Sequence, residues 1–71
     1  MHREFTVILE RDGRWFIGYC PEVSGANGQG ATLEECRESV REAIRLILED
    51  RLADALKGTP PDAIRETVVV E

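Results

Sequence analysis

Residues 32–56, TLEECRESVREAIRLILEDRLADAL, constrain the fold more than any other stretch. Leu33, Cys36, Val40, Ala43, Ile44 and Ile47 recur at helical spacing, and Leu48, Leu52 and Ala55 continue a slightly rotated stripe. The spacing predicts one long helix with an apolar face and a charged face. Its start carries a capping box. Thr32 can accept from the backbone N–H near Glu35, and the Glu35 side chain can reach back to Thr32. Glu34 and Glu35 place negative charge where the helix dipole favours it. Lys57-Gly58, with Pro60 and Pro61 beyond, marks the stop. A helix that is apolar on one side needs a flat apolar surface to cover, and the flanking segments read as strands.

Residues 5–10 alternate, with Phe5, Val7 and Leu9 on one side and Thr6, Ile8 and Glu10 on the other. Arg11-Asp12-Gly13-Arg14 is a turn, and Asp12-Gly13 is a strong hairpin signal. Residues 15–20 form the return strand. Phe16, Gly18 and Cys20 share the face of the first strand's apolar set, and Trp15, Ile17 and Tyr19 share the other. A glycine at position 18, opposite a helix, marks close approach of a neighbour. Pro21-Glu22 opens a loop, because proline offers no ladder donor, and Ser24-Gly25 supplies a further turn. Residues 26–30, ANGQG, are weak in composition but are expected to form a short third strand before the helix. Residues 66–71, ETVVVE, read as a fourth strand, with Thr67 and Val69 facing one way and Val68 and Val70 the other. The expected class is α+β, β-β-β-α-β, in one domain spanning residues 1–71.

A chain of 71 residues lies at the low end of what one hydrophobic core supports, which makes oligomerisation or a partner expected. The formal charge of −5 argues against nonspecific phosphate binding over the whole surface and suits a surface that meets a basic protein. No segment is long and apolar enough to span a membrane or serve as a signal peptide. Two cysteines far apart in sequence fit a reducing cytoplasm.

Groups for catalysis do not converge. His2 is the sole histidine and reads as a frayed terminal residue. Cys36 falls in the apolar stripe as a small core residue, and Cys20 has no histidine near it. Gly28 and Gly30 lack the lysine and the spacing of a nucleotide loop. The soft ligands needed for a zinc site are too few, and no cofactor is expected. A binding module is therefore favoured over an enzyme. Two surfaces are candidates. Ile8, Trp15, Ile17 and Tyr19 cannot share the helix-covered face; Trp15 and Tyr19 read first as cross-strand packing on a half-exposed sheet and second as a recognition surface, and the patch is expected to drive self-association to a dimer or larger. On the outer helix face Glu38, Glu42 and Glu49 could meet a basic partner. Arg37, Arg41 and Arg45 run along an adjacent ridge, which reads as a laced solvent face first and an RNA-binding track second. Leu46 lies beside the main stripe, where the last strand or a second subunit could meet it.

Three features coincide: FTVILERDGRWFIGYCPEVSG, then NGQGATLEECRESVREAIRLILE, then a terminal valine strand. Together they resemble the HicB-like antitoxin family. Tyr19, Pro21, Glu22 and Gly25 match its hairpin end and turn; Gln29-Gly30, Thr32, Leu33-Glu34-Glu35 and Glu42-Ala43-Ile44 match its helix opening. With Gly13, the residues Pro21, Gly25, Gly30, Thr32 and Glu35 are the expected structural positions. The resemblance implies a partial ribonuclease-H-like sheet, strand order 3-2-1-4, with the last strand parallel to the first and one long helix on one face. It also implies dimers or tetramers, no ribonuclease activity of its own, and direct blocking of a small mRNA-cleaving toxin of the HicA type. Typical members add a C-terminal DNA-binding segment. Residues 58–71 are too short for one, so operator binding is not expected, and the alternative reading is a solitary oligomeric module with another ligand.

Overall fold

The first hairpin turns on Gly13 and Arg14. In the computed structural model, which describes residues 4–70, Asp12 pairs with Trp15 and Ile8 with Tyr19. The turn is thus one residue later than the Asp12-Gly13 signal suggests. Gly13 has φ 63, while no non-glycine residue among the described ones has positive φ. Glycine at the first central position is the arrangement of a II′ hairpin turn. The hairpin joins β1 (Ile8–Asp12) to β2 (Trp15–Tyr19); β3 (Asn27–Gly30) and α1 (Leu33–Leu56) follow. The sheet is antiparallel, in the order β1-β2-β3, and α1 lies across one face. The molecule is α+β, as its pattern predicts.

The first strand begins later than the alternation over residues 5–10 suggests. β2 leaves the sheet at Cys20-Pro21, so its pairing with the first strand ends at Ile8 and Tyr19. The Cys20 amide turns instead to the Ala26 carbonyl at 3.0 Å. The Thr6 amide and hydroxyl donate to the Glu22 carboxylate. Phe5 and Val7 still pack on the core from this lead-in.

The core is small: Cys20, Val23, Ala26, Val40 and Ile44 are buried together, with Phe5, Val7, Ala43, Ile47 and Leu48 packed around them. Cys36 is fully buried as well. Helix and sheet approach so closely because three of the facing positions are glycine. A Cβ on Gly30 would lie 2.6 Å from the Cys36 amide nitrogen, one on Gly28 2.7 Å from that of Val40, and one on Gly18 3.0 Å from a Val40 methyl. Gly28 and Gly30 are thus packing positions against the helix.

The helix start is as expected. Thr32 caps it, accepting from the Glu35 amide at 3.1 Å. The Glu35 carboxylate in turn accepts from the Thr32 amide at 3.2 Å and the Ala31 amide at 2.9 Å. The end differs from the glycine cap read from Lys57-Gly58. Gly58 is not left-handed. The last turn instead tightens, with Lys57 N–H donating to the Asp54 carbonyl and Thr59 N–H to that of Leu56, before Pro60 and Pro61 prevent continuation.

Among the described residues the sheet has three strands. The expected strand at 66–71 does not join it among the described residues: residues 63–69 are exposed and lie in no strand, and Glu71 lies outside the described residues, as does His2. The geometry supplies the reason. A 24-residue helix is about 36 Å long at 1.5 Å per residue, against about 17 Å for a five-residue strand. The helix therefore carries the chain well past the sheet before the tail begins.

Candidate partner-binding surfaces

The alternation of β1 and β2 sorts their side chains onto two faces, and the helix takes only one. Leu9, Phe16 and Gly18 turn toward α1. Ile8, Trp15, Ile17 and Tyr19 remain on the uncovered face, with Trp15 54 % exposed. The register brings these four together, since Ile8 stands opposite Tyr19 and Ile17 opposite Glu10. On β3, Gln29 lies opposite Ile17 and Asn27 opposite Tyr19, so the aromatic strip has a polar border. An apolar centre with a polar rim is the make-up of a protein contact surface. Arg11 adds a stacking group on the other side, its guanidinium 5.3 Å from the Phe16 ring centre.

The outer face of α1 is less available than its acids suggest. Glu38 pairs with Arg41, and Glu42 and Glu49 both pair with Arg45. The Arg45 guanidinium holds the Glu42 carboxyl below the usual carboxylate range, and Glu42 raises Arg45 in return. All five groups are more than half exposed, where such pairs contribute at most about 1 kcal/mol each. The three proposed partner-binding acids are therefore neutralised within the helix, and so are two arginines of the RNA-binding track. Arg37 makes no ion pair among the described residues.

The Pro21–Ala26 loop is more organised than its turn signals indicate. Val23 N–H donates to the Cys20 carbonyl and Ala26 N–H to that of Val23. This winding drives Val23 and Ala26 into the core, nearly inaccessible to solvent. Sequence pattern gave no periodicity to mark either residue; the one available signal was an isolated valine in an otherwise polar loop. The Thr6 hydroxyl, with help from the Thr6 amide and the Cys20 thiol, holds the Glu22 carboxyl below its ordinary range, against a smaller opposing effect of desolvation. Glu22 is thus the clasp between the loop and the lead-in to β1, and Gly25 lies at the turn with φ 87.

A third surface lies between β1 and the helix. An open groove of about 1020 Å³ has Phe5, Val7, Leu9, Ile44 and Leu48 at its floor, with Arg37, Arg41 and Arg45 along one side. No group of three or more His, Cys, Asp or Glu side chains placed to hold a metal occurs among the described residues. Cys20 and Cys36 are both free and buried, and no helix among the described residues is long and apolar enough to cross a membrane.

Comparison with known proteins places the chain among small relatives of similar length. It is 48 % identical to UPF0150 protein ssl0738 of Synechocystis sp. over 99 % of both chains. It is 39 % identical to UPF0150 protein ssr1258 of the same organism, over 68 % of this chain and 71 % of that one. A UPF0150 protein of Thermotoga maritima is 38 % identical over 65 % of this chain and 64 % of its own. No family model and no solved structure matches the chain. Near-complete coverage at that identity makes this chain a member of the UPF0150 protein family.

Proposed function

We propose that the chain is a protein-binding module of the HicB-like antitoxin type, which neutralises a small, basic, mRNA-cleaving toxin of the HicA type by direct contact. One observation carries this reading: Ile8, Trp15, Ile17 and Tyr19 are gathered on a sheet face that the helix leaves bare. The formal charge of −5 supports it. A ribonuclease needs a cationic surface for phosphates, and an acidic protein can compete for that surface and associate quickly. In this reading the sheet face is the main contact and also the surface for self-association into dimers or tetramers. The pairing of Glu38, Glu42 and Glu49 with arginines leaves the outer helix face a subsidiary role. The protein acts by binding rather than catalysis, in the cytoplasm, where its two thiols stay reduced. The fold is completed to a partial ribonuclease-H-like sheet by a fourth strand from residues 66–71, parallel to β1 and beside it, giving the order 3-2-1-4. The alternating valines and the apolar groove along β1 support that completion.

Co-expression with the product of a short neighbouring reading frame tests the function. Where that frame encodes a basic protein, this chain should restore growth and co-purify with it, and Trp15→Ala with Tyr19→Ala should abolish both effects. Rescue without physical association contradicts direct contact. Absence of both, with an active toxin, leaves a solitary self-associating module.

A further inference from the structure

We infer that the fourth strand is exchanged: residues 66–70 of one chain dock in the groove beside β1 of a second copy, which returns its own tail in the same way. This inference rests on the reading that the tail completes the sheet and adds where the tail comes from.

The first argument is area. The chain exposes 5987 Å². A compact protein of 8.0 kDa exposes about 4,450 Å² by the usual scaling, so roughly 1,500 Å² per chain is in excess. Two chains burying that excess against each other would bury about 3,000 Å², inside the range of obligate homodimers. The radius of gyration agrees: 15.8 Å against about 11 Å for a compact chain of this length.

The second argument is where the excess lies. Leu52 on the helix end, Ile64 in the connector, and Val68 and Val69 in the tail are all exposed, Val68 by 79 %. At the other end, β1 has a strand on one side only among the described residues. The groove beside it presents the apolar floor of Phe5, Val7, Ile44 and Leu48. An edge strand with an apolar channel at its flank takes an added strand through main-chain bonds and alternate side chains. Charge complements shape. Arg37, without an ion pair among the described residues, stands at the groove, and the valine run is bracketed in sequence by Glu66 and Glu71.

The third argument is economy of cover. A tail folded back on its own β1 fills the groove but leaves Leu52 on the projecting helix bare. Reciprocal exchange adds a second chain at the projecting helix end, where Leu52 and Ile64 offer exposed apolar surface to it. A two-fold arrangement also closes, so exchange ends at a dimer rather than an open chain of copies.

Cross-linking with a short bismaleimide tests the exchange, because Cys20 and Cys36 are buried and the exposed positions Glu10 and Thr67 can each carry one reactive thiol. Chains bearing Glu10→Cys alone are refolded with chains bearing Thr67→Cys alone. The expected main product is the mixed pair, at twice the chain mass. The doubly substituted chain separates the alternatives. A bridge closed within one chain, at single mass and with no mixed pair, overturns the exchange and leaves the fourth-strand reading standing; no bridge of either kind overturns both. Sedimentation supplies the second readout. In a chain that also carries Trp15→Ala and Tyr19→Ala, which removes association through the sheet face, Val68→Asp with Val69→Asp should convert the dimer to a monomer that keeps its helical circular dichroism. An unchanged dimer with both aspartates in place overturns the exchange.

Discussion

Alanine at Gly30 should be among the most damaging small substitutions in this protein, and the reason is distance. Its Cβ would lie 2.6 Å from the Cys36 amide nitrogen and 2.7 Å from the Glu35 Cβ, about 0.8 Å short of ordinary contact. Neither neighbour is the tip of a flexible side chain. Both belong to the first turn of α1, which Thr32 and Glu35 hold by the capping box. Relief therefore requires lifting the helix start by most of an ångström, away from a core that contains Cys36 and Val40 at zero exposure. Overpacking of this kind costs about 1–3 kcal/mol, and the backbone obstruction places Gly30→Ala at the upper end, near ~3 kcal/mol. Gly28→Ala should cost a similar amount, since its Cβ would meet the Val40 amide at 2.7 Å. Two control positions separate the causes. At Gly13 nothing lies within 4 Å, but φ is 63, so alanine there should cost about 1–2 kcal/mol from backbone conformation alone. At Gly58 neither obstacle exists, and alanine should be neutral or slightly stabilising. Urea unfolding followed by Trp15 fluorescence, at one protein concentration throughout, gives the four values. Gly30→Ala as stable as Gly58→Ala would refute the close helix–sheet contact.

The Thr32 cap should be worth about 1 kcal/mol, read as the loss in urea stability for Thr32→Ala, with Thr32→Ser close to wild type. The Glu22 clasp fixes a pH dependence. Its carboxyl is held below the ordinary value in the fold, so its contribution is present in full above the unfolded carboxylate pKa and is lost as pH falls through the lower folded one. Stability against pH should therefore decline on the acid side, and Glu22→Gln should flatten that decline while lowering stability at neutral pH. Arg45→Ala, by contrast, should change stability by no more than about 1 kcal/mol, because its pairs with Glu42 and Glu49 are exposed; thermal melts at low and high salt would show it.

The helix and the hairpin were legible because their signals are periodic. Cys36, Val40 and Ile44 recur on one face and are the residues that bury, and period-two alternation placed Ile8, Trp15, Ile17 and Tyr19 on the bare face. β3 was harder. Its glycines carry no strand propensity, and the helix packed against them is what fixes their place. The lead-in before Ile8 alternates like a strand yet lies beyond the ladder with β2, because Pro21 ends that strand early. The loop core of Val23 and Ala26 depends on three backbone hydrogen bonds that no spacing announces. On the outer helix face, the sequence supplied both the acids and the arginines. Only side-chain geometry shows that Arg45 serves Glu42 and Glu49 together, which moves the weight of the candidate site to the sheet. The valine tail illustrates the opposite limit: its alternation is clear, but a strand exists only where an edge receives it.

Stoichiometric inhibition tests the central claim most directly. A purified HicA-type toxin from the neighbouring reading frame, cleaving a defined RNA, is titrated with this protein at low and moderate salt. The account predicts loss of cleavage at a fixed ratio of chains, with slower association as salt rises and no protection by Trp15→Ala with Tyr19→Ala. Full cleavage by an active toxin in excess wild-type protein would contradict it.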